Sequence, residues 1–134
     1  MAWVRGDRPL TPAQFFPSGK PNLTVTAVRD GAAQILQVKG EVDTTTAWRI
    51  DAGVMGILPS QAGRGPVIVD LSGVGLFSAA GLTALLTARK LCDGLGGLRV
   101  VASTRSVMRL LEVTALSGEL AIYPTLDEAL ASGS

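Results

Sequence analysis

The chain has no histidine and a single cysteine among its 134 residues. Without an imidazole there is no histidine general base, no Ser-His-Asp triad and no ordinary zinc site. A lone Cys92 cannot close an internal disulfide, which suits a reducing cytoplasm. Aromatic residues make up only 4%, and the longest basic cluster, Arg105 to Arg109, holds just two arginines, so no nucleic-acid partner is expected. A formal net charge of +1 likewise implies no polyelectrolyte partner. No apolar run is long enough to span a membrane. Met1-Ala-Trp-Val-Arg-Gly-Asp7 lacks the apolar core of a secretory signal. No metal, cofactor or catalytic residue is expected, because no nucleophile sits beside a base at motif spacing.

Hydrophobic residues account for 47% of the chain and charged residues for 17%, the balance of a single globular domain. Four of the seven prolines (Pro9, Pro12, Pro17 and Pro21) fall in residues 1–21, which read as an irregular N-terminal extension ahead of a domain at 22–132. Leu23 to Val28 alternates with period two, Arg29-Asp-Gly31 supplies a turn, and Ile35 to Val38 answers it, a hairpin whose second strand is expected to stop at Gly40. Ala47, Ile50, Val54, Ile57 and Leu58 follow at helical spacing, with Pro59 and the Gly63 to Pro66 stretch expected to end that helix. Val67 to Leu71 is a continuous apolar run, as in a buried strand, and a turn region is expected after it. A helix beginning near Ala79 carries Leu82, Leu85, Leu86 and Leu91 on one face. Leu98 to Ala102 is a further strand, then a helix capped by Ser103 or Thr104 with Val107, Leu110 and Leu111 inward. Leu120 to Tyr123 and the capping-box pattern Thr125-Leu-Asp-Glu128 complete the order β-β-α-β-α-β-α-β-α. Strands alternating with helices imply a mixed, mostly parallel sheet of α/β class with about four helices.

Most candidate groups have a plain structural use. Asp43 is placed to cap a helix, and Asp70 to bind loop N–H groups at a strand end. Gly63-Arg-Gly65 and Gly94-Leu-Gly-Gly97 match no phosphate-loop pattern and read as turns. Cys92, beside Leu91, reads as a buried apolar residue. The corner at Ser78 to Gly81 is different, because a strand there gives way to a helix whose first N–H groups are free for an anion or a partner.

Val67-Ile-Val-Asp-Leu-Ser-Gly-Val-Gly-Leu-Phe-Ser-Ala-Ala-Gly-Leu82, taken with Gly40-Glu-Val-Asp43 upstream, resembles the STAS family of anti-sigma factor antagonists and sulfate-transporter tails. The resemblance runs from about Leu23 to Ala131 and includes Val107-Met-Arg-Leu-Leu111, Ala115-Leu-Ser117 and Thr125 to Leu130. It implies a bacterial, cytoplasmic, non-enzymatic module, monomeric or weakly dimeric, acting by partner switching. Such an antagonist binds an anti-sigma factor, often a GHKL-type serine kinase, and so frees a sigma factor for transcription. Phosphorylation of a hydroxyl at the helix start then dissociates the pair. The family usually has Asp-Ser-Ser-Gly or Asp-Ser-Thr-Gly at that start. Here Ser78 falls at the Asp position and Ala79, which has no oxygen to modify, at the acceptor. The implied partner surface comprises Asp43, Thr44, Thr45, Thr46, Ser78, Ala79, Ala80 and Gly81. Three regulatory alternatives stand open: a constitutive antagonist, a surrogate acceptor at Ser78 or Thr83, or control through the N-terminal arm or Cys92. A STAS scaffold or a small-ligand sensor in a signalling complex is the alternative function. A transporter tail is disfavoured, since the chain has no membrane segment and reads as a complete domain.

Overall fold

The computed structural model describes residues 3–4, 8–9, 23–61, 65–93, 96–114 and 120–131. In the expected irregular extension, β1 (Trp3–Val4) pairs antiparallel with β2 (Arg8–Pro9), apart from the main sheet; the rest of that extension lies outside the described residues. β3 (Leu23–Asp30) and β4 (Ala33–Val42) form the expected hairpin, with Asp30 opposite Ala33. Gly31 takes the left-handed φ of 62° in the two-residue turn, a conformation that costs glycine little.

Three boundaries differ from expectation. β4 does not stop at Gly40 but continues to Val42. β5 (Val67–Phe77) runs through Ser72-Gly-Val-Gly75, where the glycines suggested a turn. The parallel register jumps from Gln37↔Asp70 to Lys39↔Gly73, and from Gly40↔Val74 to Glu41↔Leu76. At each jump β5 holds one more residue than β4, so the glycines mark bulges in a paired strand. Helix α1 (Trp48–Gln61) runs past Pro59. The helix closes two residues on, at Gln61, ahead of the expected Gly63 to Pro66 stop; a proline this close to the end weakens the last turn without setting its final residue. Asp70 consequently lies inside β5 rather than at a strand end, 8% exposed, its Oδ1 accepting the Ser72 N–H at 3.0 Å across the first bulge.

The other elements follow the expected order: α2 (Ala79–Cys92), β6 (Leu98–Val101), α3 (Arg105–Val113), β7 (Ala121–Tyr123) and α4 (Leu126–Ala131). The sheet order is β3-β4-β5-β6-β7, antiparallel for the first pair and parallel thereafter. Leu36 and Val38 of β4, Val67, Val69 and Leu71 of β5, and Leu98 and Val100 of β6 face one side. There they pack with Ile50 and Val54 of α1, Leu82 and Leu85 of α2, and Val107 and Leu111 of α3. Full burial of each large aliphatic side chain contributes about 1.5–3 kcal/mol. The intervening residues Ile35, Ile68 and Val101 face the other side, where Ala129, Leu126 and Leu130 of α4 meet them. Thr125 Oγ1 accepts the Glu128 N–H at 3.1 Å, the cap expected for this last helix. Among the described residues, no helix is long and apolar enough to cross a membrane.

Candidate functional site

Three helices on one face of the sheet all begin at the C-terminal ends of the parallel strands, the edge where open α/β sheets place their sites. The first two starts are tied together, because the Ser78 N–H donates to the Val42 carbonyl at 2.9 Å. Phe77, opposite Val42 in the ladder, fixes that level. The residue after Val42 is Asp43 and the residue after Ser78 is Ala79, so the two segments picked out by sequence lie side by side.

Asp43 organises the first. Its Oδ1 accepts the Thr45 N–H at 2.8 Å, the Thr45 hydroxyl at 2.7 Å, the Thr46 N–H at 3.1 Å and the Thr46 hydroxyl at 3.2 Å. The Thr46 hydroxyl also lies 2.9 Å from the Glu41 carbonyl and 3.0 Å from the Asp43 N–H. These bonds hold the carboxyl below its ordinary pKa, the Thr45 hydroxyl most strongly and the Thr45 N–H next. The segment is a turn that precedes the helix: Thr46 and Ala47 both donate to the Asp43 carbonyl, and α1 begins only at Trp48. Asp43 therefore caps the turn rather than the first helical residues. Thr44 and Thr45 are exposed, whereas Thr46 is half-buried with its hydroxyl committed to the turn.

The second segment sits tightly on the sheet. Gly81, in the first turn of α2, is buried, and a Cβ there would lie 2.6 Å from the Phe77 ring and 2.7 Å from Val42 Cγ1. Its lack of a side chain lets the helix start settle on the strand ends. Ser78 has the extended backbone of an N-cap (φ −96°, ψ 175°), yet its hydroxyl makes no capping bond. Ser78 Oγ is sealed from solvent with no hydrogen-bond partner among the described residues. Serine is among the best residues for capping a helix start, yet this hydroxyl does not do so. Thr104 repeats the pattern at the start of α3, with a buried, unpartnered Oγ1 and no capping bond. Ala79 is exposed, Ala80 half-buried, and Thr83, one turn on, is exposed with its hydroxyl donating to the Ala79 carbonyl at 3.3 Å.

Two features of this edge escaped the sequence reading. Trp48 is 63% exposed, and its indole N–H donates to the Thr45 carbonyl at 3.0 Å, joining it to the Asp43 turn. Its place five residues after Asp43, at the first turn of an amphipathic helix, was the available signal. Asp51 is half-buried, with Oδ1 closed off and unpartnered among the described residues; desolvation raises its pKa. Cys92 lies at the far end of α2, fully buried, its thiol pushed up to about 11 by desolvation. The Ala115-Leu-Ser117 part of the resemblance lies outside the described residues.

Comparison with known proteins places these features in context. The family model of the STAS domain matches residues 24–129. A Mycobacterium tuberculosis protein named as an anti-anti-sigma factor is 33% identical over 133 residues, covering 94% of this chain and 87% of that one. The crystal structure of an anti-sigma factor antagonist from Mycobacterium paratuberculosis superposes with a TM-score of 0.75 at 25% identity, covering 82% of this chain and 92% of its own. A Thermotoga maritima structure with a similar designation gives a TM-score of 0.69 at 21% identity, over 79% of this chain and 91% of that one. At that identity the likeness is one of fold.

Proposed function

The chain belongs to the STAS domain family, and from that premise we propose that it is an anti-sigma factor antagonist lacking the usual phosphorylation switch. It binds an anti-sigma factor, of the GHKL serine-kinase type, through the adjoining starts of α1 and α2, and so frees a sigma factor in the cytoplasm. The contact residues are Asp43, Thr44, Thr45, Thr46, Ser78, Ala79, Ala80 and Gly81.

One observation carries this reading: Ala79 is exposed at the first position of α2, beside the Asp43 turn. The position aligned with the family's acceptor thus faces outward without an oxygen. A surrogate acceptor at Ser78 has less support, since its Oγ is closed to solvent. Thr83 is exposed, but its hydroxyl bonds back to the helix. A constitutive antagonist is therefore the favoured form of regulation.

A pull-down from native lysate, with this protein as bait beside Ala79→Asp and Ala79→Ser, tests the proposal. The wild type is expected to recover a GHKL-type anti-sigma factor, and Ala79→Asp to lose it. Incubating the complex with ATP should release Ala79→Ser and leave the wild type bound. Recovery of no such kinase, or capture indifferent to charge at position 79, would refute the partner-switching account.

A further inference from the structure

The proposed antagonist role leaves unexplained a tryptophan that the chain places in solvent beside this surface. Resting on that role and refining its interface, we propose that Trp48 is the anchor residue of the complex, inserted into an apolar cleft on the anti-sigma factor that is rimmed by basic side chains.

The argument starts from scarcity. The chain has two tryptophans, and one of them is 63% exposed. An exposed indole contributes little to folding, whereas tryptophan leads the residue types that dominate binding energy. Trp48 is also preorganised. Its one polar atom is satisfied internally by the Thr45 carbonyl at 3.0 Å, so the ring can be desolvated without stranding a donor. That bond fixes the ring against the turn that Asp43 holds together, which reduces the ordering cost on association. The apolar surface continues along the helix, since Ala52 and Met55 follow Trp48 by one and two turns; Ala52 is exposed and Met55 is 58% exposed.

The rim defines the partner's chemistry. Glu41 is exposed at the end of β4, and Asp43 follows two residues later. All four bonds to the Asp43 carboxylate converge on Oδ1, leaving Oδ2 without a partner among the described residues. Nor does any cation of the described residues pair with the Glu41 carboxylate. An apolar ridge tied to the turn that follows two carboxylates, neither ion-paired among the described residues, complements a greasy cleft bordered by Lys or Arg, as charge complementarity requires of a specific interface.

The test uses the GHKL-type anti-sigma kinases encoded in the source genome, each purified and titrated against the full chain. In a Trp3→Phe background Trp48 is the sole tryptophan, and its emission should shift to the blue as the kinase binds. Trp48→Ala should weaken binding about thirtyfold or more, the range of an interface hot spot. Trp48→Phe keeps an aromatic ring but lacks the N–H, so affinity within about fivefold of wild type would assign the loss in Trp48→Ala to the ring rather than to the turn. Raising salt should weaken the wild type more than a Glu41→Gln, Asp43→Asn protein. Tight binding with unchanged emission, or Trp48→Ala within about threefold of wild type, overturns the anchor and leaves the antagonist reading standing. If no kinase binds the wild type, both fall.

Discussion

Replacing Ser78 by alanine should stabilise this protein, the reverse of what its place at a helix start implies. A serine N-cap that bonds the helix costs about 1 kcal/mol when truncated to alanine. Here the backbone has the conformation of a cap, but the hydroxyl makes no such bond and is sealed from solvent without a partner among the described residues. A buried hydroxyl left unsatisfied carries a penalty of about 1–3 kcal/mol, which alanine removes. The void left by one oxygen offsets part of that gain. The net expectation is about +1 kcal/mol, or roughly +4 °C in Tm for a domain of this size. Thermal melts followed by circular dichroism, with urea midpoints at unchanged slope, would measure it. Thr104→Val supplies an internal control, because it deletes the equivalent buried hydroxyl at α3 while keeping the side chain's shape. A fall of 3 °C or more in Ser78→Ala would refute the reasoning, since it would mean that Oγ does satisfy a partner in solution.

Gly81→Ala should cost about 1–2 kcal/mol, because the overpacking against Phe77 and Val42 exceeds the helical gain from alanine. A Tm drop of roughly 4–8 °C would confirm it, and an unchanged Tm would show that α2 can lift off the strand ends. Asp43→Asn should destabilise the turn at neutral pH and cease to matter in acid. The folded-state pKa of Asp43 is lowered, so its contribution is complete above the usual carboxylate range and is lost as pH falls through the folded value. Urea midpoints of the two proteins should therefore converge below about pH 4. Cys92, fully buried with its thiol pushed up to about 11, should react with Ellman's reagent at pH 8 only on the timescale of unfolding. Rapid labelling of the native protein would contradict the packing of α2.

The element order was legible because each strand-to-helix change is written in spacing and turn residues. Leu82, Leu85 and Val107 could be assigned inward from periodicity, and the Thr125 cap from its box pattern. The ends of β4 and β5 were not legible, because Ser72-Gly-Val-Gly75 carries turn composition. Only pairing with Lys39 to Val42 reveals a bulged strand there. The site was readable as two segments, and their adjacency depends on one backbone bond across the sheet, from Ser78 to Val42. The direction of the Ser78 hydroxyl could not be read, since residue type gives the capacity to cap and only packing decides its use. Trp48 was missed because it lies off the apolar spacing of Ala47, Ile50, Val54, Ile57 and Leu58 from which the helix was read, and periodicity is silent about the use of a residue on the exposed side.

The alanine at position 79 also separates two effects that are confounded wherever a modified residue supports both folding and binding. A negative charge at the first position of α2 meets free N–H groups and the positive end of the helix dipole, worth about 0.3–1 kcal/mol in favour of the fold. With the partner's basic rim already engaged by Glu41 and Asp43, the same charge at position 79 must shed water without a cation of its own, at a cost of several kcal/mol on the order of a buried unpaired ion. Ala79→Asp should therefore raise Tm by roughly 1–4 °C while abolishing capture of the anti-sigma factor. A variant that lost binding because its helix frayed would move both quantities down together. Opposite signs would show that charge at this position acts on the interface and not on the fold, and therefore that an alanine here removes the switch while leaving the domain intact.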